Sequence, residues 1–226
     1  MALSTPYVVE VPNHLKIWTS CPLRVSAHEP LAYQATLDML QEWKDHNLPT
    51  IPDVHLKLSA SRYGHLIACM SPEALPDRIG PFTKIIDLFL LADEIMEGPD
   101  TAKTEAAMED LSSAAPVGPD ASGLKVNLAY VEKEILESDP VLGGNYMHEM
   151  KNYWHLHKTF SLEIYQHTHS FSAFIPFRYC NFAGPTLRHM LCFSAGQNLT
   201  EYDIRALELP IFAATIAAIL WNDLYS

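Results

Sequence analysis

From Glu29 to His46 the chain reads EPLAYQATLDMLQEWKDH, with Leu31, Ala35, Leu37, Leu40 and Trp43 at helical spacing behind a proline. Apolar residues recurring every three or four positions make one stripe on a 3.6-residue helix, so this stretch predicts an amphipathic helix. LPDRIGPFTKIIDLFLLADEIMEG predicts a long apolar helix that begins after Pro81 and ends at Gly98. GPDTAKTEAAMEDLSSAAPVGPDASG is polar and punctuated by Gly, Pro, Ser and Asp, which suits a short helix between exposed loops. YVEKEILESDP and NYMHEMKNYWHLHKTFSLEIYQHTH are helical in pattern, the second rich in aromatic residues. LTEYDIRALELPIFAATIAAILWNDLYS opens with Thr200 and Asp203 three apart, a capping-box start with Asp in place of Glu. Strand signal is confined to YVVEV near the start, which alternates briefly. The pattern predicts an all-α domain of long helices joined by short loops.

Composition narrows the field. The chain has 226 residues, 48% hydrophobic and 19% charged, enough for one domain with a sizeable buried core. Its formal net charge of -12 supplies no electrostatic footprint for nucleic acid. An anionic substrate would be repelled unless a cation bridged it. The most apolar run, Leu209 to Trp221, is shorter than the roughly 20 residues a membrane span needs. The first residues, MALSTPYVVEVPNH, lack the basic and apolar regions of a signal peptide. Cys21, Cys69, Cys180 and Cys192 match no zinc or redox spacing, so reduced thiols in a cytoplasmic protein are expected.

Candidate chemistry sits where apolar helices turn polar. Every residue from Ile85 to Ala92 is apolar except Asp87, and then come Asp93, Glu94 and Glu97. Asp93 and Glu97 share one face at i, i+4, where two carboxylates repel each other and call for a counter-charge. Asn222 and Ser226 repeat this spacing at the end of the last helix. Oxygen-only donors favour a hard cation such as Mg²⁺. Each pattern taken alone is also met by a solvated helix end or a C-terminal cap. Between the two lies FIPFRYCNFAG, with Arg178 flanked by Phe177 and Tyr179, and a guanidinium fork reads phosphate oxygens in a bidentate manner. The pairs His155/His157 and His167/His169 would point to different faces of a helix, so they read as surface or partner-bonded histidines. Glu105, Glu109 and Asp110 read as a solvated helix face.

On these residues the sequence resembles the class I terpene cyclases, most closely the cyclase domain of fungal di- and sesterterpene synthases. DEIME (Asp93 to Glu97) is similar to the family's aspartate-rich motif D-D-x-x-D/E, and NDLYS (Asn222 to Ser226) resembles the first half of N-D-x-x-S-x-x-x-E. Arg178 falls where the family keeps its diphosphate-sensing arginine. NYWHLHKTFSLEIYQHTHSFSAFIPFRYCNFAG resembles the helix pair that leads through that arginine to a helix-breaking glycine, here Gly184. The similarity runs from about Tyr7 to Ser226.

The resemblance implies a class I terpenoid synthase bundle around an apolar active-site cavity, occupying residues 1–226. It implies a lyase that ionises and cyclises a linear prenyl diphosphate with three Mg²⁺, the substrate being geranylgeranyl diphosphate (C20) with the C25 homologue as the alternative. Asp93, Glu97, Asn222 and Ser226 would hold metal. Arg178, Asn181, Phe89 and Phe182 would meet the substrate, with Asp93, Arg178 and Asn222 catalytic. Phe89, one turn before Asp93, would face the same cavity. Trp154, Phe177 and Trp221 read more simply as core. A prenyltransferase domain, fused or separate, and a homo-oligomer fit the same reading. The sequence departs from the family at Glu94, at Asn181 where Asp is common, and at the closing Glu of the second motif, which would stand four residues beyond Ser226. That last departure makes the cyclase domain look incomplete and predicts that these 226 residues alone are inactive. A chain-elongating prenyltransferase would carry a second aspartate-rich motif in place of N-D-x-x-S, and a degenerate, non-catalytic homologue is the remaining alternative.

Overall fold

A computed structural model of the chain describes residues 5–10, 22–46, 48, 65–96, 100–113, 117–159 and 170–225. Among these residues two strands, β1 (Tyr7–Val9) and β2 (Leu23–Val25), precede nine helices. In chain order the helices are α1 (Glu29–Asp45), α2 (Leu66–Met70), α3 (Ile79–Met96), α4 (Thr101–Ser112), α5 (Gly123–Ser138), α6 (Leu142–Thr159), α7 (Phe171–Asn181), α8 (Gly184–Ala195) and α9 (Glu201–Tyr225). The strands pair antiparallel, Tyr7 opposite Val25 and Val9 opposite Leu23. The all-α expectation therefore holds, with one short hairpin attached.

Helix α3 is the central element, packed against α1, α2, α4, α5 and α8. Its residues are apolar nearly all round because neighbours cover most of its surface, which is the composition a buried helix needs. Phe82, Ile85, Leu88 and Leu91 from α3 meet Met39 and Trp43 from α1, Val131 and Ile135 from α5, and Tyr146, Met150 and Trp154 from α6 in one core. Trp154 is thus core, as the plainer reading of that residue expected. Val25, Ala32, Ala68, Ala74 and Ile79 form a smaller cluster near the hairpin.

The buried stripe of α1 differs from the one expected. Ala32, Ala35, Thr36, Met39, Leu40 and Trp43 are buried, whereas Leu31 and Leu37 are exposed. Thr36 is accepted inside because its hydroxyl donates to the Asp87 carboxylate at 2.5 Å and lies 3.0 Å from His65 Nε2. The backbone N–H of Ile67 donates to His65 Nδ1 at 3.2 Å, so that nitrogen is the acceptor and the ring proton sits on Nε2. Burial raises the Asp87 carboxyl to about 6 against the opposing Thr36 hydrogen bond. The other buried charge on α3, Lys84, lies 2.7 Å from Glu134 and 3.6 Å from Glu42.

Several ends follow side-chain capping rules. Asp100, Ser122 and Ser170 accept from the backbone N–H three residues on and open α4, α5 and α7. At α9 the Thr200 hydroxyl accepts from the Asp203 N–H at 3.2 Å while Asp203 accepts from the Thr200 N–H at 2.9 Å, a reciprocal box with Asp where Glu is usual. Arg78, just before α3, donates to the Phe193 carbonyl at 2.9 Å and to Asp139 at 2.8 Å. It thereby joins the starts and ends of three helices. Cys69, Cys180 and Cys192 are free thiols, and Cys21 lies outside the described residues. No described helix is long and apolar enough to cross a membrane.

Candidate active site

Of the residues singled out in the sequence, Arg178, Asn181, Phe182, Phe89 and Asp93 are described, on or next to α3 and α7, with α6 and α9 packed against α7. Helix α7 carries Arg178 one turn from its C-terminus, and α9 packs on α7. Arg178 Nε donates to both oxygens of Asp223, at 3.0 and 3.2 Å, and its Nη2 forms an ion pair with the same carboxylate. Its Nη1 donates to the side-chain oxygen of Asn181. The guanidinium carbon lies 5.9 Å from the centre of the Phe182 ring, within cation–π range. Arg178, Asn181, Phe182 and the NDLYS helix are therefore one constellation.

The α3 end of the site is joined to it through α6. The Phe89 ring packs on the Tyr153 ring with centroids 5.6 Å apart. Burial pushes the Tyr153 phenol well above its ordinary value, the Asp93 charge adds to this, and the Arg178 charge opposes it. Both charges are thus felt at the Tyr153 hydroxyl. Asp93 is half-buried and Glu94, its neighbour, is exposed. Glu97 and Ser226 lie outside the described residues, as does the side chain of Asn222, whose backbone runs in α9. Among the described residues no three His, Cys, Asp or Glu side chains gather as a metal cage. The donors assigned to the ion are all oxygen, which is the chemistry a hard divalent cation takes.

Two features were missed in the sequence. Asp223 enters the sequence reading only as the second position of NDLYS, with no partner or role of its own. Its signal was its place in the motif: it is one residue past Asn222 and so projects about 100° round the helix from it, and here it meets Arg178. The break between α7 and α8 was assigned to Gly184. The left-handed residue is instead Ala183, with φ 57° and ψ 25°. Gly184 serves close approach, since a Cβ there would lie 2.5 Å from the Tyr179 ring and 2.7 Å from its carbonyl oxygen. Of the H-x-H histidines, His155 is exposed, the side chain of His157 is not described, and His167 and His169 lie outside the described residues. In the acidic run Glu105 and Glu109 are exposed, and Asp110 accepts from the Ser122 hydroxyl at 2.5 Å.

An all-α bundle with these end-of-helix groups accords with a terpene synthase fold. No family model matches the chain. Its homologues are fungal terpene synthases. It is 26% identical over 223 residues to preterpestacin I synthase of Cochliobolus heterostrophus, a match covering 95% of this chain and 31% of that protein. The bifunctional terpene synthase FUP1 of Fusarium proliferatum is 24% identical over 217 residues, 92% of this chain and 28% of the relative. Sesterfisherol synthase of Neosartorya fischeri is 27% identical over 218 residues, again 92% and 28%. The chain spans about a third of the length of these curated relatives.

Proposed function

We propose that this chain is the cyclase portion of a fungal class I terpene synthase, acting on a linear prenyl diphosphate. The C20 substrate is the first assignment and the C25 homologue the alternative. The observation that carries the reading is Arg178, whose guanidinium fork lies among Asp223, Asn181 and Phe182, with Tyr153 linking Asn181 to Phe89, one turn before Asp93.

The chemistry asked of the site is cleavage of the allylic C–O bond, with the electron pair leaving on diphosphate. Magnesium bound by Asp93, Glu97, Asn222 and Ser226 would supply positive charge to that leaving group. Arg178 binds and orients the diphosphate by exchanging the Asp223 carboxylate for phosphate oxygens of similar geometry. Asn181 keeps the guanidinium pointed into the site during that exchange. Phe89 and Phe182 offer aromatic faces to the hydrocarbon cation, each worth roughly 0.5–2 kcal/mol. The acidity of the chain fits, because an anionic substrate is then admitted only with its cation.

The test is incubation of the chain, and of its complete reading frame, with C15, C20 and C25 diphosphates and Mg²⁺, followed by gas chromatography of the extract. Cyclic hydrocarbon from the C20 diphosphate is expected from the complete protein. It is expected to vanish in Asp93→Ala while the helical circular dichroism persists. No product from any of the three substrates would move the reading to a non-catalytic homologue.

A further inference from the structure

Tyr153 takes no part in the chemistry proposed above, yet it stands at the junction of the site. It lies on α6, only 5% exposed. Its ring rests on Phe89, one turn before Asp93 on α3. Its hydroxyl donates to the backbone carbonyl of Asn181 at 2.9 Å. Asn181 is the last residue of α7, where carbonyls have run out of partners within the helix. The next residues are held tightly: Phe182 N–H donates to the Arg178 carbonyl at 2.8 Å and Ala183 N–H to the Cys180 carbonyl at 3.2 Å. Ala183 is left-handed without being glycine, and Gly184 is pressed against Tyr179. A turn so constrained keeps its shape only while its neighbours hold it. Among the described residues the Tyr153 hydroxyl is a hold on this turn from the side of α3 and Asp93.

We propose that Tyr153 is a positioning residue, its hydroxyl anchoring the α7–α8 turn through the Asn181 carbonyl so that Arg178 is kept in register with the Asp93 end of α3. The inference rests on the proposed function for its kinetic consequence, and on the geometry alone for its structural one. The hydroxyl is spent on a backbone carbonyl, so it orients Arg178 without itself binding substrate. Its loss lowers the fraction of molecules in the productive arrangement, which appears in kcat more than in KM.

The experiment compares the complete protein with Tyr153→Phe, which removes the hydroxyl and leaves the ring on Phe89. Ile135→Val, a core change on α5 away from the turn, serves as a control of comparable thermal destabilisation. Tyr153→Phe is expected to lose about tenfold or more in kcat with KM changed by less than about threefold, while Ile135→Val keeps the parent's kcat. Equal kcat in the two variants would overturn the proposal. Hydrogen exchange gives a readout that needs no turnover. The amides of Phe182 and Ala183 should exchange about tenfold faster in Tyr153→Phe, with those of Val131 and Ile135 unchanged. Unaltered exchange at Phe182 and Ala183 would equally overturn it. If the parent makes no product from any prenyl diphosphate, it is the proposed function that fails, and the exchange result alone decides the role of Tyr153.

Discussion

Arg178 meets three groups at once: Asp223 through Nε and Nη2, Asn181 through Nη1, and the Phe182 face. This uses the planar fork in full, and a lysine cannot imitate it. An ammonium offers three donors around one point and no flat face to set on a ring. Arg178→Lys is therefore expected to lower kcat/KM for the prenyl diphosphate tens-fold or more, about 2–3 kcal/mol of transition-state binding. Steady-state kinetics with the C20 diphosphate checks this, and unchanged kinetics would reduce Arg178 to a structural residue. The sequence sets Arg178 between Phe177 and Tyr179, but the ring it meets is Phe182, one turn on, while Tyr179 packs on Phe212. Its partner Asp223 was not legible in the sequence, because a carboxylate at a helix end is usually just solvated.

At the scale of elements, the helices were legible wherever a local rule governs them. The Thr200–Asp203 box depends on four consecutive residues, so the sequence contains the whole interaction. The stripe of α1 was read less well. Leu31 and Leu37 are apolar and near helical spacing, but the face that α3 covers is centred on Ala32, Thr36 and Met39. Thr36 is there because of a carboxylate on another helix, which no local window contains. The α7–α8 turn is the same kind of case. A non-glycine residue in the left-handed region costs roughly 1–2 kcal/mol, and a β-branched one more. Ala183→Gly removes that strain but adds freedom to the unfolded chain, by roughly 0.5–1 kcal/mol. It should match or slightly exceed the parent in urea unfolding, while Ala183→Val should lose about 1–2 kcal/mol. A valine variant as stable as the parent would mean that the turn does not hold this backbone conformation in solution.

For the whole molecule, the buried Asp87–Thr36–His65 cluster makes stability depend on pH. Asp87 has a folded-state pKa of about 6 against an ordinary 3.8, so folding binds a proton in the interval between. Its contribution is fully present below about pH 4 and is lost as pH rises through about 6, some 3 kcal/mol in all. Burial shifts His65 the other way, with Glu29 opposing, so its contribution is present above the ordinary histidine range and lost as pH falls. Asp87→Asn keeps an oxygen for Thr36 and removes the charge. It should be more stable than the parent at pH 7, with the gap closing towards pH 4 in urea titrations; a gap constant with pH would refute the assignment. The Arg78 clamp bears on the molecule differently. It joins residues 61 and 115 positions apart, Asp139 and the Phe193 carbonyl. Contacts so distant along the chain close large loops, and they tend to form after the helices and their nearest pairings. Arg78→Gln should accordingly leave the refolding rate nearly unchanged and speed unfolding in a stopped-flow denaturant series. Arg78 then governs how long a folded molecule lasts, and hardly how fast one is made.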